Sequence, residues 1–229
     1  MKAIVTGATK GIGKAVAIEL AQNGYDIIAC ARNGKDLRDL KSELENFGIE
    51  VLAIEADMSK KDQVLHLIEK MVTFAPQVHV LVNNVGVFLP GSFLDETDEA
   101  FEQQLNVNLN AAYYLGKHIG RQMRSQTFGH IFNICSIASK MPVENAGSYS
   151  VTKAAMLSLN HVMRSELAPH HVKVTAIIPG STYTASWEGT TLDQNKFVQP
   201  EDVAKAIGAI LKLSDGANVD ELVLKPLNF

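Results

Sequence analysis

Short, nearly unbroken apolar runs alternate with longer stretches of helical period along the whole chain. The runs at 3–6, 26–31, 50–55, 78–83, 130–135, 172–178 and 221–224 predict strands, and their continuity implies cover on both faces. Helical periodicity predicts helices near 11–23, 34–47, 60–74, 98–125, 149–168 and 200–213. Ser59 reads as the cap of the third helix, and Pro200 suits the first turn of the last. Gly48 and Gly129 read as C-terminal stops. Strand–helix alternation of this kind predicts an α/β fold: one Rossmann-type, doubly wound, parallel seven-stranded sheet with helices on both faces. No repeat or low-complexity linker divides the 229 residues, so a single domain over 1–229 is expected.

Composition narrows the function classes. Hydrophobic residues make up 46% and charged residues 20%, which excludes a disordered chain. A formal net charge of −4 argues against a general nucleic-acid or anionic-membrane binder. No run is long enough to span a bilayer, and the opening residues pass straight into a strand without a secretory pattern. Cys30 and Cys135 sit in apolar runs, which predicts two buried thiols and a reducing cytoplasmic location. The seven His are scattered, with no Cys-x-x-Cys or His-Glu-x-x-His, so no metal site is expected. No Gly-x-Ser-x-Gly elbow is present for a hydrolase serine.

The first candidate chemistry follows the first strand, in Thr6-Gly7-Ala8-Thr9-Lys10-Gly11-Ile12-Gly13. Glycines there let the backbone turn sharply and let a pyrophosphate approach the start of a helix. The usual Gly-x-Gly-x-x-Gly pattern is not met, because Val16 holds the third position. The second strand then ends Ala29-Cys30-Ala31-Arg32, without the carboxylate that binds a free adenosine ribose. Arg32 and Lys10 are placed to grip a 2′-phosphate, which favours NADP(H).

A tyrosine four residues before a lysine shares a helix face with it. The ammonium then favours the phenolate, which suits the phenol to exchange a proton with a carbonyl or alcohol oxygen. The spacing occurs twice, at Tyr113/Lys117 and Tyr149/Lys153. Ser136 stands thirteen residues before Tyr149, at the carboxyl end of a strand where open α/β sheets place their chemistry. Ala100 stands thirteen before Tyr113, which reads as a core-packing residue of a long helix.

Taken in order, Thr6-Gly7-x-x-x-Gly11-x-Gly13, Asp57, Asn83-Asn84-Val85-Gly86, Asn108, Ser136, Tyr149-x-x-x-Lys153 and Pro179-Gly180-x-x-x-Thr184 resemble the short-chain dehydrogenase/reductase family. The resemblance covers essentially the whole chain. It implies that Tyr149 is the general acid/base, that Ser136 hydrogen-bonds the substrate oxygen, and that Lys153 tunes Tyr149 and holds the nicotinamide ribose. Asn108 resembles the fourth catalytic residue, which maintains a proton relay. Asn106 and Asn110 lie about 200° away from it around a helix. The resemblance also implies cofactor contacts from Gly7, Thr9, Lys10, Gly11, Ile12, Gly13, Arg32 and Gly86. Asp57 and Met58 would face the adenine, Asn84 the adenosine ribose, and Pro179, Gly180, Thr182 and Thr184 the nicotinamide carboxamide. Val85 stands where the family usually has Ala, which crowds the adenosine side slightly.

Substrate selection is expected from 87–96, 137–146 and the unstructured stretch 181–199, which reads as a lid. Phe88, Leu89, Met141, Val143, Tyr183, Trp187 and Phe197 predict a mainly apolar pocket, unless the aromatic residues only anchor the lid. Two function classes follow. One is an NADPH-dependent carbonyl reductase or alcohol dehydrogenase acting on a small molecule, with the 3-oxoacyl-carrier-protein reductase branch the nearest in appearance. The other is a catalytically idle NADP-binding regulator of the same fold, against which the intact Asn108, Ser136, Tyr149 and Lys153 argue. The resemblance also implies a homodimer or homotetramer built on the helices near 98–125 and 149–168. Arg121 and Arg124 read as partners of the helix dipole rather than a docking patch.

Overall fold

A computed structural model describes residues 1–187 and 189–227. Seven strands form one parallel sheet: β1 (Lys2–Thr6), β2 (Asp26–Ala31), β3 (Val51–Glu55), β4 (Val80–Asn83), β5 (Gly129–Ile134), β6 (Val172–Pro179) and β7 (Glu221–Leu224). Their order is β3-β2-β1-β4-β5-β6-β7, so the chain switches direction between β1 and β4. Between the strands run α1 (Gly11–Gln22), α2 (Gly34–Glu45), α3 (Lys61–Phe74), α4 (Asp98–Leu105), α5 (Ala111–Gln126), α6 (Gly147–Leu167) and α7 (Pro200–Leu211).

Period-two alternation sorts each strand between two apolar layers. Ala3, Val5, Ile27, Ala29, Val80, Val82, Phe132 and Ile134 face α1, α2 and α7. Ile4, Ile28, Cys30, Leu81, Ile131 and Val174 face α3, α5 and α6. Both layers are closed to water, which explains why these strands read as continuous apolar runs. Thr6 marks the switch point. Its hydroxyl donates to Val82 O at 3.3 Å and accepts the N–H groups of Asn84 and Val85 at 2.9 and 3.0 Å.

Several expectations are corrected. The helix expected over 98–125 is two helices, α4 and α5, joined by a π-helical turn at Asn106–Asn110. The apolar period runs through that turn, but Asn108 leaves the helix surface to bond another segment, as described below. Lys60, not Ser59, is the N-cap of α3; the Ser59 N–H and O–H both go to Asp57 Oδ1 instead. Thr127, at φ 60°, supplies the left-handed stop after α5, while Gly129, at φ +145°, opens β5. Gly48 does follow the end of α2, at φ +75°, with its N–H on Glu45 O. Tyr113 is not a core residue: it is 46% exposed, with its ring edge-on to Tyr114. The helix phase that buries Ala112 and Leu115 turns Tyr113 outward. α6 begins two residues earlier than expected, at Gly147, so Tyr149 is its third residue rather than its first.

Candidate active site

The loop from β1 into α1 is held by close packing. Gly7 and Gly11 adopt left-handed φ of 62° and 51°. A Cβ at Gly13 would lie 2.2 Å from Gly7 O and 2.4 Å from Asn84 Nδ2, so only glycine lets α1 start this close to the strand ends. Asn84 spends its amide donor on the carbonyls of Thr6 and Gly7, at 2.8 and 3.2 Å. These contacts leave a cavity of about 880 Å³ across the carboxyl ends of the strands. Gly7, Thr9, Lys10, Gly11, Ile12, Arg32, Asp57, Met58, Asn84, Gly86 and Thr184 all line it. Gly13 does not; it packs behind the loop.

Charge in this cleft is mixed. Lys10 Nζ lies 3.7 Å from Asp36 Oδ2, at the start of α2. Burial works against ionising Asp57, but hydrogen bonds from Ser59 and the nearby charges of Arg32 and Lys60 outweigh it. The carboxyl is therefore held below the usual carboxylate range. Asn33 caps α2 by accepting the N–H groups of Lys35 and Asp36 at 2.9 and 3.2 Å. Asn33, Gly34 and Asp36 line the cleft and were not anticipated from sequence. The signal was there, because an Asn just before a helical period is a cap and a cap lies at a helix N-terminus.

A second cavity of about 380 Å³ adjoins the first and shares Ile12, Asn84, Gly86 and Thr184 with it. Ser136, Tyr149, Lys153, Pro179, Gly180 and Thr182 line this one. Lys153 is buried and donates to Ile134 O at 2.9 Å, with Nζ 5.8 Å from the centroid of the Tyr149 ring. Ser136 lies two residues past β5 and caps a short 3-10 turn, Ile137–Ser139, its side-chain oxygen accepting the Ala138 N–H at 3.2 Å while its own N–H goes to Ser139 Oγ at 3.1 Å. That leaves the Ser136 hydroxyl proton without a protein acceptor among the described residues. Thr182 Oγ1 bonds Gly180 O at 3.0 Å and holds the turn after β6.

Asn108 lines neither cavity. Its Oδ1 accepts the Val87 N–H at 2.7 Å, and its Nδ2 donates to Val87 O and Thr152 Oγ1 at 3.0 and 3.1 Å. It pins the segment after β4 to the helix carrying Tyr149 and Lys153. Asn106 and Asn110 turn to one another instead, at 2.9 Å.

Of the residues expected to shape the substrate pocket, Phe88, Val143 and Trp187 line the second cavity. Leu89, Met141, Tyr183 and Phe197 do not. Phe197 is 5% exposed and meets the rings of Tyr183 and Trp187 at 5.7 and 4.8 Å, so it anchors the stretch 181–199 from beneath. Glu188 of that stretch lies outside the described residues. Thr184 closes against Gly11, where an added Cβ would come within 3.1 Å of its methyl. Burial pushes the Cys30 thiol up to about 12 and the Cys135 thiol up to about 11, so both stay protonated. Among the described residues no cluster of metal-ligating side chains occurs, and no helix is long and apolar enough to cross a membrane.

Comparison with known proteins bears on the family and the fold. The profile of the family described as short chain dehydrogenase matches residues 1–195. An uncharacterized oxidoreductase of Staphylococcus aureus (strain MRSA252) is 30% identical over 225 residues, 98% of this chain and 96% of its own. An alcohol dehydrogenase from the archaeon Thermococcus sibiricus, solved with 5-hydroxy-NADP, superposes with a TM-score of 0.92 at 27% identity. That match covers 100% of this chain and 97% of the other. A metagenomic short-chain oxidoreductase in complex with NADP superposes at 0.87, also at 27% identity, covering 100% and 98%.

Proposed function

This chain belongs to the short chain dehydrogenase family, and from that premise we propose that it is an NADPH-dependent oxidoreductase interconverting a carbonyl and an alcohol. The observation that carries the reading is the convergence of Ser136, Tyr149 and Lys153 on one small cavity that opens into the long glycine-loop cleft. That cleft suits a dinucleotide. The turn from Gly7 to Gly11 lines it, Gly13 packs that turn close against the strand ends, and Arg32 and Lys10 are both in the lining. The relatives solved with NADP and 5-hydroxy-NADP support the same cofactor. Gly7, Thr9, Lys10, Gly11, Ile12, Arg32, Asp57, Met58, Asn84, Gly86 and Thr184 would hold it, with Pro179, Gly180 and Thr182 toward the nicotinamide. Bound NADPH supplies the hydride to the carbonyl carbon.

The chain's own groups handle the oxygen. Tyr149 gives its phenolic proton to the carbonyl oxygen as that oxygen gains charge, and takes it back in the alcohol direction. Ser136 donates its uncommitted hydroxyl proton to the same oxygen. Lys153, fixed by Ile134 O, would stabilise the phenolate left on Tyr149 and would hold the cofactor ribose. Phe88, Val143 and Trp187 make the flanks apolar, and among the described residues Lys153 is the one charged side chain in the lining, which favours an uncharged carbonyl compound. A 3-oxoacyl thioester is one such carbonyl. Assembly into homodimers or homotetramers through α5 and α6 belongs to the same reading, because Tyr113, Val151 and Val162 leave apolar surface exposed there.

The test is Tyr149→Phe, assayed by NADPH consumption across thioesters, aldehydes, diketones, quinones and ketosteroids. Cofactor binding should persist while turnover falls roughly 10²–10⁴-fold. Unchanged turnover would remove Tyr149 as the acid. An idle regulator would instead show no turnover in the parent enzyme with any carbonyl.

A further inference from the structure

Two amide side chains one helical turn apart, Gln104 and Asn108, make the same pair of contacts twice. Asn108 grips Val87 and Thr152, as above. Four residues earlier, Gln104 Oε1 accepts the Leu89 N–H at 3.1 Å, and its Nε2 donates to Ser148 Oγ at 2.6 Å. Ser148 and Thr152 are likewise four apart, so they lie on one face of α6. The Ser148 hydroxyl donates a hydrogen bond to Glu96 Oε2 at 2.5 Å, and the same carboxylate accepts the Ser148 N–H at 3.0 and 3.3 Å. Gln104 is 0% exposed and Ser148 2%. The Gln104–Ser148 bond is thus buried, and the half-buried Glu96 carboxylate stands at the positive end of α6.

This grip closes on both sides of one residue. Ser148 is the backbone neighbour of Tyr149. Leu89 follows Phe88, whose ring meets the Tyr149 ring edge-on, 5.1 Å between centroids and 77° between planes. The same segment is tied again at Gly91, whose N–H bonds Asn145 O at 2.9 Å and whose carbonyl accepts the Gly147 N–H at 3.0 Å.

We propose that Gln104 and Ser148, anchored by Glu96, are positioning residues that fix Tyr149 and Phe88 relative to the substrate carbonyl. This rests on Tyr149 being the acid. Their role is felt in the chemical step, because misplacing a reacting group by about 1 Å costs on the order of a hundredfold in rate. The cofactor cleft lies outside the grip, so its affinity is spared.

The test compares Gln104→Leu and Ser148→Ala with Leu67→Ala, a buried change in α3 remote from the site that lowers stability alone. Four quantities are read below the melting temperature: the NADPH Kd by fluorescence, kcat, KM, and the isotope effect on kcat with 4-deuterated NADPH. Gln104→Leu should lower kcat about tenfold or more and Ser148→Ala about three- to tenfold, with Kd within about twofold. The isotope effect should rise in both, as hydride transfer becomes limiting. Leu67→Ala should lower Tm with kcat and isotope effect unchanged. If Gln104→Leu and Ser148→Ala behave like Leu67→Ala, the proposal is overturned; if the first does not fold, Ser148→Ala decides alone. An inactive Tyr149→Phe beside normal Gln104 and Ser148 variants sinks this inference and spares the acid assignment, whereas an active Tyr149→Phe sinks the assignment itself.

Discussion

His130 in β5 shows how far a single residue can tie stability to pH. Its Nε2 lies 2.8 Å from Thr175 Oγ1, and its ring stacks on Phe132 at 4.0 Å. Burial, with a smaller push from Lys173, holds its pKa down to about 3. In the unfolded chain an imidazole titrates near 6.5, so between those values the unfolded state binds a proton that the folded state refuses. The contribution is whole above about pH 6.5 and is lost as pH falls toward 3. By pH 5 the loss is on the order of 2 kcal/mol. Urea melts at pH 7.5 and 5 should show the drop in the parent and a smaller one in His130→Gln; equal drops would exonerate the histidine. Burial likewise explains why Cys30 and Cys135 were readable from sequence: a thiol in an unbroken strand run has nowhere to go but the core.

Elements were legible where one physical rule decides them. The strands could be read because alternate residues fill two dry layers, and the glycine loop because only glycine permits its turns. The loop also yields a sharp prediction. At Gly13 an added methyl meets backbone, Gly7 O at 2.2 Å, whereas at Gly116 it meets the flexible end of Met163 at 2.2 Å. Gly13→Ala should therefore cost roughly 1–3 kcal/mol and weaken NADPH binding, and Gly116→Ala should cost less and leave binding intact. Thermal melts and fluorescence titration compare the two, and a reversed order would sink the argument. Where tertiary bonds override local pattern, the sequence misled. Nothing in the period of 98–125 announces the π-helical turn, because its cause is Asn108 reaching to Val87 across the chain. Ser59 looks like a cap until Asp57 claims both its donors. The Gln104–Ser148 grip had one visible trace, two polar pairs each spaced four apart, which no rule singles out before the helices are seen to touch.

At the scale of the whole molecule, sheet order lays the two cavities side by side along one edge. The ends of β3, β2 and β1 bound the first, and those of β5 and β6 bound the second. Ser136, Tyr149 and Lys153 come from one short stretch of the chain and meet because β5 and α6 follow one another past the switch point. The same layout separates tasks. Arg32 stands at the end of β2, two strands and the β1/β4 crevice away from β5, so a change there should alter cofactor affinity without touching proton transfer. A charge-assisted contact with a 2′-phosphate contributes about 1.5–3 kcal/mol, roughly ten- to a hundredfold in Kd. Asp36 already places a carboxylate 3.7 Å from Lys10, so reversing Arg32 leaves the cleft end acidic. Arg32→Asp should raise the NADPH Kd by that factor or more and change the NADH Kd far less. The kcat at saturating NADPH should stay within about threefold of the parent. Fluorescence titration with both cofactors, followed by kcat at saturation, checks each part. Equal weakening for the two cofactors would show that Arg32 does not read the phosphate, and a collapse of kcat at saturation would show that the two ends of the cleft are coupled.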